Sequence, residues 1–180
     1  MNKKKFTVRM IARQAIIASL YVALTYALSF ISYGNIQFRI AEILVFLCFF
    51  RHDYIIGLLL GCFIANLFSP MLLWDITLGV GASAIALFLM TKTKNLYVSA
   101  IWPVLSNAFI VAIELHFAFE LPYFLSALEV GIGEAAVMIV GLVVFTILSK
   151  NKKLMYFLTL DEKYLNENVD KNSESDEKTC

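Results

Sequence analysis

Six apolar runs, near residues 10–32, 38–50, 54–69, 72–91, 96–119 and 123–149, dictate the solvent in which this chain folds. A helix needs about 20 residues to cross the hydrocarbon of a bilayer, and most of the runs approach that length. With 60% hydrophobic and only 16% charged residues and a mean hydropathy of +0.76, the chain is too apolar for an ordinary water-soluble domain. The predicted fold is all-α, an integral membrane six-helix bundle over residues 1–155. The second and third runs are short for full crossings, so they are expected to tilt, to re-enter, or to form a broken pair shielded by neighbours.

The first run follows Lys3, Lys4 and Lys5 and carries a loose cleavage-site pattern at Ala27-Leu28-Ser29, as a secretory signal does. It exceeds the about 7–15 residues of a signal core, and the orientation of the later runs depends on it, so it is read as a span. Cys48, Cys62 and Cys180 lack paired or metal-ligand spacing and read as small hydrophobes. Residues 156–180 turn acidic and polar from Asp161 onward, which predicts a disordered cytoplasmic tail.

Basic residues are retained in the cytoplasm during insertion. With the amino terminus inside, Lys3, Lys4, Lys5, Arg9, Arg13, Arg51, Lys92, Lys94, Lys150, Lys152, Lys153 and the tail lysines all fall on that side, and Arg39 alone falls outside. The same topology places the polar residues of the spans mostly in the outer half. Arg39 and Glu42 open the second helix, Asn66 ends the third and Asp75 begins the fourth. Glu114 and Glu120 lie late in the fifth, Glu129 and Glu134 early in the sixth, and Asn107 nearer the midplane. The inner halves carry little beyond apolar and small side chains, which describes a cup open to the outside.

Buried ions in a bilayer cost about 2.5–3.5 kcal/mol each by insertion scales, so these groups must face partners, water or a ligand. Arg39 and Glu42, three apart, share a helical face, as do Asn107 and Glu114, seven apart. Two readings stand for Arg39 and Glu42: cavity residues, or an ion pair at the membrane surface. Glu120 beside Pro122 also fits a solvated loop. Glu114, Glu129 and Glu134 lack a second outer cation and point more firmly to ligand contact. His116 and Glu120 have ligand spacing on a helix, but two ligands do not make a metal site.

Ala15, Ser19, Ala23 and Ala27 recur every four residues and form a narrow smooth face on the first helix. Such faces let a second membrane helix approach closely. Gly57 and Gly61 repeat the spacing in the third run, and Gly131 and Gly133 precede Glu134. No GxxxxGK[ST] phosphate loop occurs, so any energy for transport comes from another polypeptide or from an ion gradient. An ion-coupled secondary transporter of a small cationic or nitrogen-rich solute is one reading, because intramembrane carboxylates also relay protons. A structural membrane subunit leaves the costly acids without a purpose. An intramembrane hydrolase lacks paired aspartates, Asp75 being the sole aspartate within the runs, and the chain is read as a non-enzyme.

Four segments in order carry a resemblance: Ile36-Gln37-Phe38-Arg39-Ile40-Ala41-Glu42, Gly57 to Leu67, Asp75-Ile76 followed by Gly79, and Val130-Gly131-Ile132-Gly133-Glu134. Over about residues 10–150 the chain resembles the QueT family of queuosine-precursor transporters. That family is similar to the substrate-binding S components of energy-coupling-factor transporters. The resemblance implies a six-helix subunit in the plasma membrane with both termini cytoplasmic. It also implies a coupling membrane subunit and two cytoplasmic ATPases as partners, ATP used by those partners, no cofactor in this chain and no nucleic acid. The first helix would dock through the Ala15, Ser19, Ala23 and Ala27 face, where Ser19 replaces an alanine of the family pattern. The implied solute is a 7-deazaguanine, in its 7-aminomethyl or 7-cyano form, or queuine. Glu134 and Glu114 would be principal acceptors and Asn107 and Asn66 the amides. Arg39, Glu42 and Asp75 would shape the outer rim, and Tyr26, Tyr33, Trp74, Tyr123 and Phe124 are candidates to stack on the base.

Overall fold

The computed structural model describes residues 8–28, 38–151, 153, 155 and 156. The polar tail from Asp161, Tyr33 and the amino-terminal lysines lie outside the described residues. Within them the chain is a bundle of apolar helices without strands. Helix α1 covers Val8–Ala27, α2 Ile40–Phe50, α3 His52–Asn66, α4 Leu72–Lys92, α5 Leu96–Phe119 and α6 Tyr123–Lys150. Helices α1, α4, α5 and α6 are long and apolar enough to cross a membrane, whereas α2 and α3 are shorter, in keeping with the short second and third runs.

Each break has a local cause. Between α2 and α3, Arg51 adopts an extended backbone, and its guanidinium contacts Asp53 at 3.2 Å, strapping the reversal. Pro70 follows Ser69 between α3 and α4, where a proline disfavours helical backbone in the residue before it. Asn95 accepts a hydrogen bond from the Tyr97 amide at 2.9 Å and so caps the start of α5. Glu120 ends α5 in the left-handed region at φ 55°, and Pro122 then sets the entry to α6.

Helix α5 packs along α6 and against α4; α3 lies between α1 and α4, and α2 is covered by α1 and α6. The outward faces are apolar, with Leu73, Phe88, Ile139 and Val143 all exposed, as a surface meeting lipid tails requires. Besides a small cluster of Val111, Leu115 and Val130 toward the opposite end, the main apolar core extends to the end of the bundle where α2 and α4 finish. There Phe46 and Met90 are fully buried, and the Phe145 ring lies 5.6 Å from Phe46 and 5.9 Å from Phe50.

Small residues set the closest approach of α1 and α3. A Cβ on Gly61 would stand 2.8 Å from the Tyr21 Cβ and 3.0 Å from the Ala18 carbonyl oxygen. Gly57 is as tight against Gln14, whose side-chain oxygen accepts from the Gly57 amide at 2.8 Å. Gly61→Val is therefore expected to wedge the two helices apart and lower stability by about 1–3 kcal/mol, the usual range for overpacking. Unfolding in mixed detergent micelles checks it, and an unchanged midpoint would contradict the close approach.

Candidate functional site

Polar side chains converge where α1, α3 and α5 finish and α2, α4 and α6 begin. They form two linked groups. In the first, Arg39, preceding α2, donates from Nη2 to Asp75 Oδ1 at 2.9 Å. The other Asp75 oxygen accepts from the Ser69 hydroxyl, and Asn66 Nδ2 donates to the Asp75 carbonyl at 2.8 Å. Asp75 opens a π-helical turn that runs to Gly79, a distortion often found at functional sites. A side chain at 79 would intrude, since a Cβ there would lie 3.2 Å from Asn66 Nδ2 and 3.3 Å from Asp75 Oδ1.

In the second group, Glu42 on α2 accepts from the Tyr21 hydroxyl at 2.7 Å and from the Ser83 hydroxyl at 3.4 Å. Cys62 lies between the groups, 3.5 Å from Ser83 Oγ and 3.9 Å from Asn66 Nδ2. Three further side chains are less well served. Asn107, Glu114 and Glu134 are at most 1% exposed. Both amide atoms of Asn107, both carboxyl oxygens of Glu114 and Oε1 of Glu134 lack a full donor–acceptor pairing, with Glu114 approaching the Asp75 carboxyl and Glu134 the Asn107 amide. Asp75 and Arg39 are the charged neighbours of Glu114, and Glu42 and Arg39 those of Glu134, which also borders Asn107.

Such groups are costly. A buried polar group without a partner loses about 1–3 kcal/mol relative to one that is hydrogen-bonded, and more if it is charged. Arg39, the one buried cation among the described residues, already serves Asp75. The arrangement is thus rich in acceptors and short of donors, and it can take up a small molecule that offers several N–H groups.

Arg39, Glu42, Asn66, Asp75, Asn107, Glu114 and Glu134 are all brought into this region and buried, while Glu129 is only half-buried. Two expectations are corrected. Arg39 pairs with Asp75 instead of Glu42, because it precedes a 3-10 opening turn and its side chain does not follow the α-helical face assumed for residues three apart. Arg39, Glu42 and Asp75 are also interior rather than at a solvated rim. Phe124 and Tyr26 are exposed, and Trp74 stacks on Phe117 at 6.3 Å. His116 meets the Leu121 carbonyl at 2.7 Å.

Tyr21, Ser69 and Ser83 escaped the sequence reading. A signal existed for Tyr21: Gln14, Ala18, Tyr21 and Thr25 fall at helical spacing and form the buried face of α1. The opposite face carries Ala15, Ser19, Ala23 and Ala27, all exposed. Ala15, Ser19 and Ala23, with Tyr26, Leu60 and Phe68, line a groove of about 590 Å³ between α1 and α3.

A lipid-facing helical bundle that keeps unsatisfied polar groups in its interior has the build of a membrane solute transporter. A family model described as QueT transporter matches residues 11–150, and the chain belongs to that family. It is 35% identical over 158 residues to the queuosine precursor transporter QueT of Lactococcus lactis subsp. cremoris (strain MG1363), an alignment covering 78% of this chain and 92% of that relative. No solved structure matches the chain.

Proposed function

We propose that this chain captures a queuosine precursor, a 7-deazaguanine such as the 7-aminomethyl or 7-cyano form or queuine, and imports it with an ATP-driven energy-coupling module. The observation that supports this reading is the set of buried polar groups on Asn107, Glu114 and Glu134 with hydrogen-bonding capacity left over, in a family whose Lactococcus relative is named as a queuosine precursor transporter. The adjacent N–H donors of a guanine-like edge suit one carboxylate, and a side-chain amide suits its carbonyl.

Sorting of basic residues supports a plasma-membrane orientation with both termini cytoplasmic and the polar cluster toward the exterior. The chain would act as a binding subunit without a cofactor or chemistry of its own, alongside a coupling membrane subunit and two cytoplasmic ATPases that use ATP. The exposed Ala15, Ser19, Ala23 and Ala27 face is the surface offered to the coupling subunit, with its groove ready for a partner helix.

The test is a thermal-shift series on the purified chain in detergent, without ATP and without an ion gradient. A queuosine precursor at 100 times its dissociation constant is expected to add about 2.7 kcal/mol of stability, while biotin, thiamine and riboflavin add nothing. No shift with any 7-deazaguanine would remove the solute assignment. Uptake by this chain alone that collapses with an ion gradient would replace the ATP-driven reading with a secondary transporter.

A further inference from the structure

We propose that Glu114 and Asp75 form a proton-binding site: at neutral pH one proton is held between the two carboxyls, bonded to Glu114 and donated in a hydrogen bond to Asp75. The ligand is the proton itself, so the site does not depend on which solute the bundle carries.

The supply of donors assigns the proton. Four carboxyls, on Glu42, Asp75, Glu114 and Glu134, are buried among the described residues, and Arg39 is the one buried cation. An ionised carboxylate accepts hydrogen bonds and cannot donate one. Glu42 is served as an anion by the hydroxyls of Tyr21 and Ser83, and Asp75 by Arg39 and the Ser69 hydroxyl. Glu134 borders the Asn107 amide. Glu114 is fully buried, and neither of its oxygens receives an N–H or O–H from another described residue. What it meets is the carboxyl of Asp75. Two carboxylates only repel each other, whereas a carboxylic acid has an O–H to give to a carboxylate. One proton thus turns an unfavourable contact into a charge-assisted hydrogen bond.

The proton belongs on Glu114 because the ionised form of Asp75 is the one that Arg39 pairs with at 2.9 Å. A carboxylate offers about four lone-pair positions, and Arg39 and Ser69 occupy one oxygen each, so a third donor is accommodated. Nothing else near Glu114 can neutralise it. Helix α4 presents Asp75, which already engages Arg39 from the lead-in to α2. Helix α6, packed along α5, brings Glu134 and the half-buried Glu129 to this end, both acids, and Tyr123, whose hydroxyl is turned to the Phe109 carbonyl. On α5 itself, His116 and Glu120 are exposed. An unpaired carboxylate in such an interior is strongly disfavoured, while the acid is neutral and satisfied. Any group that binds Glu114 in its ionised form must first displace this proton, which links occupancy to pH.

Infrared spectroscopy of the purified full chain in detergent near neutral pH, with Glu114→Gln, Glu42→Gln and Glu134→Gln alongside, tests the assignment, since a protonated carboxyl and a carboxylate absorb at distinct stretches. Wild type is expected to show a protonated carboxyl band that disappears in Glu114→Gln and survives in the other two. No such band in wild type, or loss of a carboxylate band in Glu114→Gln instead, would overturn the proposal. Stability gives a second readout. The folded chain carries one proton more than the unfolded chain, in which a glutamate is ionised above about pH 4.3. Stability therefore falls as pH rises, and between about pH 6 and 7 the folded-to-unfolded ratio should drop about tenfold more in wild type than in Glu114→Gln. Equal slopes would also overturn it. The new amide in Glu114→Gln is neutral and keeps an N–H for Asp75, so this variant is expected to fold. If it does not, a wild-type band that survives in both Glu42→Gln and Glu134→Gln assigns the proton to the pair by elimination, and its loss in either places the proton elsewhere and overturns the pair.

Discussion

Arg39→Met is expected to lower the unfolding free energy by about 3–5 kcal/mol, the loss seen when one partner of a buried ion pair is removed. The Arg39 and Asp75 side chains are only 8% and 4% exposed and meet at 2.9 Å. Without the guanidinium, Asp75 would keep the Ser69 hydroxyl but face Glu114 with no cation between them. Adding Asp75→Asn to Arg39→Met removes the stranded charge and preserves an acceptor for Ser69, so the double variant should recover much of the loss. Unfolding of the single and double variants in mixed micelles checks this. A double variant as unstable as the single one would mean that Arg39 acts through packing instead.

Glu134→Met is expected to produce opposite changes in stability and function. Oε1 of Glu134 is buried without a full donor–acceptor pairing, so exchanging the carboxyl for an apolar group of similar length should raise stability by about 1–3 kcal/mol. The same exchange removes the acceptor that the base edge requires, and sites built to hydrogen-bond a guest can lose up to about 10⁴-fold in affinity when such a match fails. A more stable protein that no longer binds is the mark of a group retained for function at a cost to the fold. Paired melting and binding curves read it. A Glu134→Met protein that is less stable yet binds normally would make Glu134 a structural residue.

The helices were largely legible because the bilayer imposes length and composition on each of them. Runs read as 72–91, 96–119 and 123–149 became α4, α5 and α6 with ends displaced by at most a residue. The weakness of α2 and α3 was equally visible, since Arg51, His52 and Asp53 interrupt what is otherwise one apolar stretch. The convergence of the candidate polar residues was readable from charge placement along alternating helices. Its internal pairing was not. Residue spacing reports only neighbours on one helix, and the contacts that matter join Arg39 to Asp75 and Tyr21 to Glu42 across helices. Tyr21 and Ser83 also looked unremarkable among apolar neighbours, because a hydroxyl does not reveal its partner in a linear sequence. The π-helical turn at Asp75 has no clear sequence signature either, although Gly79 marks where it needs space.

A structure of the purified protein bound to 7-aminomethyl-7-deazaguanine tests the central claim most directly. The account predicts the base edge within about 2.7–3.2 Å of the Glu134 carboxyl and the Asn107 amide, the ordinary range for hydrogen bonds. Ligand seated in the groove between α1 and α3, with Asn107, Glu114 and Glu134 untouched, would contradict it.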